Sequence, residues 1–379
     1  MRIFHCDHCD NLVFFENTHC IQCGHLLAFL PDLMEIGSLD PDGEDTWRSP
    51  HPAAQGRTYR LCDNYAGARV CNWAVDARHD ETLCEACRLT TTIPDLTVEG
   101  HHAAWYKLEV AKRRLVYALL NLHLPVAPLT RDARGLAFEF LADAADRPPA
   151  VLTGHNGGVI TINLAEADDA ERERRRHALG EPYRTLLGHM RHESGHYYWD
   201  RLIDGTDRHD EFRARFGDER EDYQAALQRH YANGAPADWQ TRFVTAYASA
   251  HPWEDWAETW AHYLHLTDTL ETAAACGVSI RPRRRDEPTL AKVPSTAGTL
   301  ASLFDRLIAG WYPMTYLLNS LNRGLGLADA YPFVLSSPAV EKLRFVHDTI
   351  ALVACPLPAD AGIPVAASES SAVTPPQSR

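Results

Sequence analysis

The sequence predicts an α+β protein: a cysteine-rich N-terminal region of short strands, then a mainly helical domain with a small sheet at its edge. Three observations carry this expectation. Eight of the ten cysteines fall between residues 6 and 87. Beyond residue 95 apolar residues recur at helical spacing over long stretches. Two of those stretches hold closely spaced histidines and glutamates, His192-Glu193-Ser194-Gly195-His196 and Glu254-Asp255-Trp256-Ala257-Glu258. The expected division is 1–95, 96–355 and a Pro-, Ala- and Ser-rich tail, 356–379, that reads as disordered.

In the N-terminal region, Cys6-Asp7-His8-Cys9 and Cys20-Ile21-Gln22-Cys23 form two Cys-x-x-Cys pairs. Each pair presents two thiolates from a tight turn, and two such turns complete a tetrahedral zinc site. Leu12-Val13-Phe14-Phe15 between them is strand-like, as a zinc ribbon requires. Cys62, Cys71, Cys84 and Cys87 make a second set, in which only the last pair has knuckle spacing. Spacing leaves open whether ligands interleave between the sets. A disulfide framework is the alternative in an oxidising compartment. The chain shows no apolar leader before Cys6, so zinc and a cytoplasmic location are expected. Residues 38–58, rich in Asp, Gly, Pro and Ser, read as an irregular loop.

Residues 104–122 place Leu108, Ala111, Leu115, Leu119 and Leu122 on one helical face, with Lys112, Arg113 and Arg114 at its side. Ala137–Leu141 reads as a short strand, and Val151–Asn163 as a hairpin turning at Gly157-Gly158. The charge-dense stretch 166–180 reads as a solvated helix or loop. A helix through His192 and His196 is expected to start near Pro182. Pro252 opens the next one, with Glu254 and Glu258 on one face. Residues 268–298, with Arg281-Pro282-Arg283-Arg284-Arg285, Pro288 and Pro294, read as a mobile basic loop, whereas 301–327 and 338–353 read as helices. Leu317, Leu318, Leu321 and Leu325 are expected in the core.

His192 and His196, one turn apart, can take two corners of a zinc tetrahedron. Glu193 beside them can take a proton from a water activated by the metal. A third protein ligand is needed. The metzincin position, six residues past the second histidine, is Leu202, and Trp199 stands where that class has glycine. That class is excluded. Glu254 and Glu258 are the candidates, with Asp200, one turn beyond His196, as the alternative ligand: one glutamate can bind the metal while the other orients a ligand imidazole. Tyr223, His230, Tyr231 and Tyr247 are possible donors to a developing oxyanion.

His-Glu-x-x-His followed by Glu-x-x-x-Glu on a separate helix resembles the gluzincin metallopeptidases, thermolysin and anthrax lethal factor among them. The chain more specifically resembles a bacterial family of zinc-binding metallopeptidases with an N-terminal zinc-ribbon region, over about residues 1–355. The resemblance implies Glu254 as the zinc ligand, Glu258 as the group that orients a histidine, and Tyr247, seven residues before Glu254, as the oxyanion donor. It also implies a strand at the cleft edge that pairs with substrate, for which Val159-Ile160-Thr161-Ile162 is the candidate. The expected cofactors are three Zn²⁺, one catalytic and two structural.

With 45% hydrophobic and 23% charged residues the composition is that of an ordinary globular protein. The net charge of −14 argues against a general nucleic-acid binder, and no apolar run reaches membrane-spanning length. The expected partner is a peptide or protein substrate, with a protein partner on the ribbon region as a further possibility. Two other functions fit the same residues: a non-catalytic zinc-ribbon adaptor, and a metal-dependent hydrolase of a non-peptide amide. An intact Glu193 disfavours the adaptor, since binding alone needs no base.

Overall fold

A computed structural model describes residues 2–143, 151–179, 185–278, 280 and 303–353. The expected tail, residues 281–298 of the expected basic loop, Cys355 and Pro182 lie outside the described residues; the start of that loop is corrected, since 268–275, with no proline to break them, continue the helix Pro252–Ala275. The architecture is mixed: a cysteine-rich β region precedes a mainly helical domain with a small sheet.

The N-terminal region opens with a two-stranded ribbon, β1 (Phe4–His5) and β2 (Leu12–Val13). A five-stranded antiparallel sheet follows: β3 (Leu26–Leu30), β4 (Glu35–Pro41), β5 (Trp47–Arg48), β6 (Thr58–Leu61) and β7 (Ala74–Asp76), in that order. This corrects the expected loop at 38–58. Its Asp, Gly and Pro sit at the end of β4, in the β4–β5 turn and in the β5–β6 connection, which stays irregular, while Ser38 and Leu39 are buried in β4. A single helical turn, α1 (Asp63–Ala66), leaves Cys62.

Helix α2 (His101–Asn121) joins the two halves of the molecule. Its Tyr117 ring packs edge-on to Phe15 and Phe29 of the ribbon region, at 5.5 and 5.8 Å. Lys112 and Arg113 are not at the side of this helix but inside the protein, at 0% and 1% exposure. A buried cation requires a partner. Lys112 has Glu109, 2.9 Å away, whose Oε1 also accepts from Trp105 Nε1 and Thr90 Oγ1. Arg113 donates from Nη1 to the carbonyl of Val70, next to Cys71.

The second sheet has the order β10 (Gly154–Asn156), β11 (Val159–Asn163), β9 (Ala137–Leu141), β8 (Thr90–Thr92). The β10–β11 hairpin turns at Gly157-Gly158, whose φ values of 54° and 86° suit the type I′ turn that glycine favours. Strand β11 pairs on both sides, antiparallel to β10 and parallel to β9. Val159–Ile162 is therefore interior, and the free edge belongs to β10. Alternation of Ile160 and Ile162 into the core marks a buried strand but does not tell a central one from an edge.

The remaining helices are α3 (Asp169–Leu179), α4 (Leu186–Leu202), α5 (His209–Phe216), α6 (Tyr223–Asn233), α7 (Pro252–Ala275), α8 (Leu303–Gly324) and α9 (Ser337–Val353). Helix α4 starts four residues after Pro182, capped by the Thr185 hydroxyl, which accepts from Gly188 N. On α8 the core face is Phe304, Leu307, Ile308, Trp311 and Met314. Leu321 and Leu325 are exposed, because the final turns of α8 run beyond the core. Asp255 of α7 and Lys342 of α9 form a buried ion pair that ties these helices together.

Candidate metal centre

Helices α4 and α7 pack closely enough to bring their motifs together, and a glycine makes this approach possible. A Cβ on Gly195 would lie 2.8 Å from Ala257 Cα and 3.2 Å from Trp260 Cβ. Trp256 Nε1 donates to the Gly195 carbonyl at 2.8 Å, and Trp260 Nε1 to Ser194 Oγ at 3.1 Å. Those tryptophans fill the interface on either side of the glycine. Pro252 stands in the first turn of α7, and His251 caps it by accepting from Trp253 N.

The result is a convergence of three side chains. His192 Nε2 and His196 Nε2 are 3.2 Å apart. Glu254 Oε2 lies 3.0 Å from His192 Nε2, and Glu254 Oε1 3.6 Å from His196 Nε2. Two nitrogens bound to one tetrahedral zinc at about 2.0–2.1 Å would be about 3.3 Å apart. His192 Nδ1 meets Glu258 Oε1 at 2.6 Å. Glu258 Oε2 in turn accepts from Thr245 Oγ1 at 2.7 Å. With the Nδ1 proton held by Glu258, a neutral His192 points its Nε2 lone pair at a carboxylate. That arrangement is repulsive unless a cation lies between them.

The electrostatics agree. Burial works against a charged His192, yet the adjoining Glu254 and Glu258 carboxylates outweigh that and hold it well above the ordinary imidazole range, so the pocket draws a positive charge, proton or metal, to the Nε2 side of this ring. Burial also opposes ionisation of Glu254, but His196 and His192 hold it well below the usual carboxylate range. Glu254 Oε2 is buried and has no hydrogen-bond partner among the described residues. The donor set, its spacing and this orphaned oxygen all fit a bound zinc ion.

Glu193 is nearly buried, at 9% exposure, and makes no hydrogen bond or ion pair among the described residues. Tyr223 donates to Glu254 Oε1 at 2.6 Å. The Tyr247 ring lies 6.0 Å from that of His192 and 5.8 Å from that of His230. Burial, reinforced by Glu254, raises the Tyr247 phenol far above its usual range and keeps it a proton donor. On the other side, Trp253 lies 4.0 Å from the His196 ring. His155, from edge strand β10, stacks beyond His196 at 6.5 Å.

The eight ribbon cysteines fall into the two sequence-contiguous sets, without interleaving. Cys6, Cys9, Cys20 and Cys23 form one group and Cys62, Cys71, Cys84 and Cys87 the other. Sulfur–sulfur distances of 3.6 Å (Cys6–Cys23, Cys9–Cys20) and 3.7 Å (Cys71–Cys84) match thiolates sharing one zinc. The second group is wholly buried. Beside it, burial works against the charge of Arg113 while Cys71, Glu109, Cys87 and Cys84 favour it, and its Nε has no hydrogen-bond partner among the described residues. Glu109 is already paired with Lys112, so with four neutral thiols two buried cations would share one carboxylate, whereas zinc-bound thiolates add negative charge.

A model of the family described as "Putative zinc-binding metallo-peptidase" matches residues 101–349, and one of a zinc-ribbon domain matches residues 3–98. The first covers more than half of the chain. This chain belongs to that zinc-binding metallo-peptidase family. Uncharacterized proteins of Mycobacterium tuberculosis strain H37Rv and of Mycobacterium bovis are 42% identical to it over 356 residues. That is 93% of this chain and 96% of each relative. No solved structure matches the chain. In this metallo-peptidase family member, the sequence motifs pointed to His192, His196, Glu254 and Glu258. Thr245, Gly195 and His155 were missed. Thr245 carries no motif, but Gly195 sits at a variable position of the histidine motif, where a small residue signals close helix packing. No helix among the described residues is long and apolar enough to cross a membrane.

Proposed function

We propose that this protein is a zinc-dependent peptidase that hydrolyses a peptide bond in a peptide or protein substrate. One observation supports this above the others. An unengaged carboxylate, Glu193, adjoins a cation site whose three protein ligands, His192, His196 and Glu254, leave a fourth position free. Zinc held there supplies Lewis acidity, making water a nucleophile at neutral pH and polarising the scissile carbonyl. Glu193 accepts the proton of the attacking water and delivers it to the leaving amine. Tyr247 donates to the oxygen on which negative charge develops. Glu258, braced by Thr245, holds the His192 ring in the tautomer that directs Nε2 inward. The two cysteine sets hold structural zinc.

Glu193→Gln separates the base from the ligands. An amide cannot take the proton, so the variant keeps its full zinc content and loses hydrolysis of a peptide that the parent cleaves. Parental turnover in Glu193→Gln would overturn the assignment. Loss of both zinc and turnover in His196→Ala completes the test.

A further inference from the structure

We propose that Tyr223 is a positioning residue that confines Glu254 to one-oxygen metal binding and so keeps the fourth coordination position free for water. The inference rests on the zinc reading above. A carboxylate can bind zinc through one oxygen or through both, and the second mode takes the place a water needs. The two oxygens of Glu254 are already differentiated. Oε2 is the orphan, facing His192 Nε2 at 3.0 Å. Oε1 accepts the Tyr223 hydroxyl at 2.6 Å, the length of a charge-assisted bond. A donor on Oε1 competes with the metal for that oxygen and leaves Oε2 to bind alone.

The position of Tyr223 is fixed from two sides. It is the first residue of α6, whose cap is Asp222, accepting from Ala225 N at 3.0 Å. His251 ties this end of α6 to the start of α7. Its Nδ1 accepts from Trp253 N at 3.1 Å, and its Nε2 donates to the Glu221 carbonyl at 3.2 Å. Both bonds are met by one tautomer of one neutral ring. The Tyr223 ring stands edge-on to His251 at 5.2 Å and to Trp253 at 5.9 Å. One imidazole therefore sets the ends of the helices carrying donor and acceptor. Tyr247 makes no such bond to Glu254, so the two tyrosines have separate tasks.

The test uses the full chain with zinc kept in both cysteine sites and cobalt(II) loaded into the third. Absence of cobalt–thiolate charge-transfer bands verifies the loading. The parent should show the strong visible absorption of four-coordinate cobalt. Tyr223→Phe should bind one cobalt, stay four-coordinate with a shifted visible spectrum, and lose the pH-dependent change of that spectrum that a bound water gives the parent, because the second Glu254 oxygen has replaced the water. On a cleaved peptide its kcat should fall about 10–100-fold with KM unchanged. A Tyr223→Phe spectrum identical to the parent's would overturn the inference. So would the weak spectrum of five-coordinate cobalt in the parent itself, a measurement that needs no variant to fold. Failure of any metal to enter the third site of the parent would instead sink the zinc reading, and this inference with it.

Discussion

At the scale of single residues, Glu254 and Glu258 lie on one helical face, so either could have reached the metal. The structure separates them. Glu254 is the residue grouped with the two Nε2 atoms, and Glu258 sits behind His192 at Nδ1. Glu254→Ala removes one of three ligands and should abolish zinc binding at this site. Glu258→Ala frees a ring to rotate and should weaken affinity by about 10–100-fold, with occupancy restored at high zinc. Zinc titration showing the reverse order would exchange their roles. His155 offers a pH test. Its Nε2 accepts from Gly158 N at 3.0 Å, which only a neutral ring can do. Burial, helped by His196, lowers its pKa from 6.5 to about 4. A folded-state value below the unfolded one means that its contribution to stability is complete above 6.5. It is lost as pH falls towards about 4. Thermal unfolding of His155→Gln should thus depend less on pH across that window than unfolding of the parent; equal slopes would rule the effect out. The ligands were legible because a helix converts a spacing of four into proximity. Their supports were not, because Thr245 and His155 arrive from elements whose approach no local pattern encodes.

At the scale of elements, the site depends on how closely α4 and α7 approach. Gly195→Ala places a methyl group where Ala257 Cα already stands, so the helices must part. The expected cost is about 1–3 kcal/mol of stability, the usual penalty of overpacking. The sharper consequence is chemical. Moving α7 carries Glu254 away from both imidazoles, so the third zinc should bind more weakly while the cysteine sites keep theirs. Unchanged affinity for the third zinc would show that the helices yield without disturbing the ligands. Most helices were legible from periodicity, including α2, α4 and α7. The sheet was less so. A strand with an apolar inner face looks the same at an edge and in the middle, which is why β11 rather than β10 read as the edge. The five-stranded sheet was hidden because Asp, Gly and Pro mark strand ends and turns as readily as they mark loops.

At the scale of the whole molecule, α2 serves two structures at once. On its ribbon side α2 carries Arg113, buried beside the second cysteine set and bonded to the Val70 carbonyl. It also packs against α4, which carries both histidines. Arg113→Met leaves the thiolate charge without its counter-ion, and breaking a buried pair in this way costs about 3–5 kcal/mol. Chemical denaturation should show that loss, and a cost near zero would mean that the thiolates are not charged. Sequence separated a ribbon region from a helical domain, since the cysteines stop where the apolar periodicity starts. It did not reveal that the two share one core, because a lysine and an arginine in a helix read as its solvent side. The shared helix also bears on how the protein meets zinc scarcity. The ribbon is made first during translation, and α2 docks onto it. Without metal in the cysteine sites, the later helices have no finished surface to fold against. Chains made under zinc limitation should therefore be lost to misfolding and degradation rather than accumulate folded with empty cysteine sites. Scarcity would set the number of folded molecules.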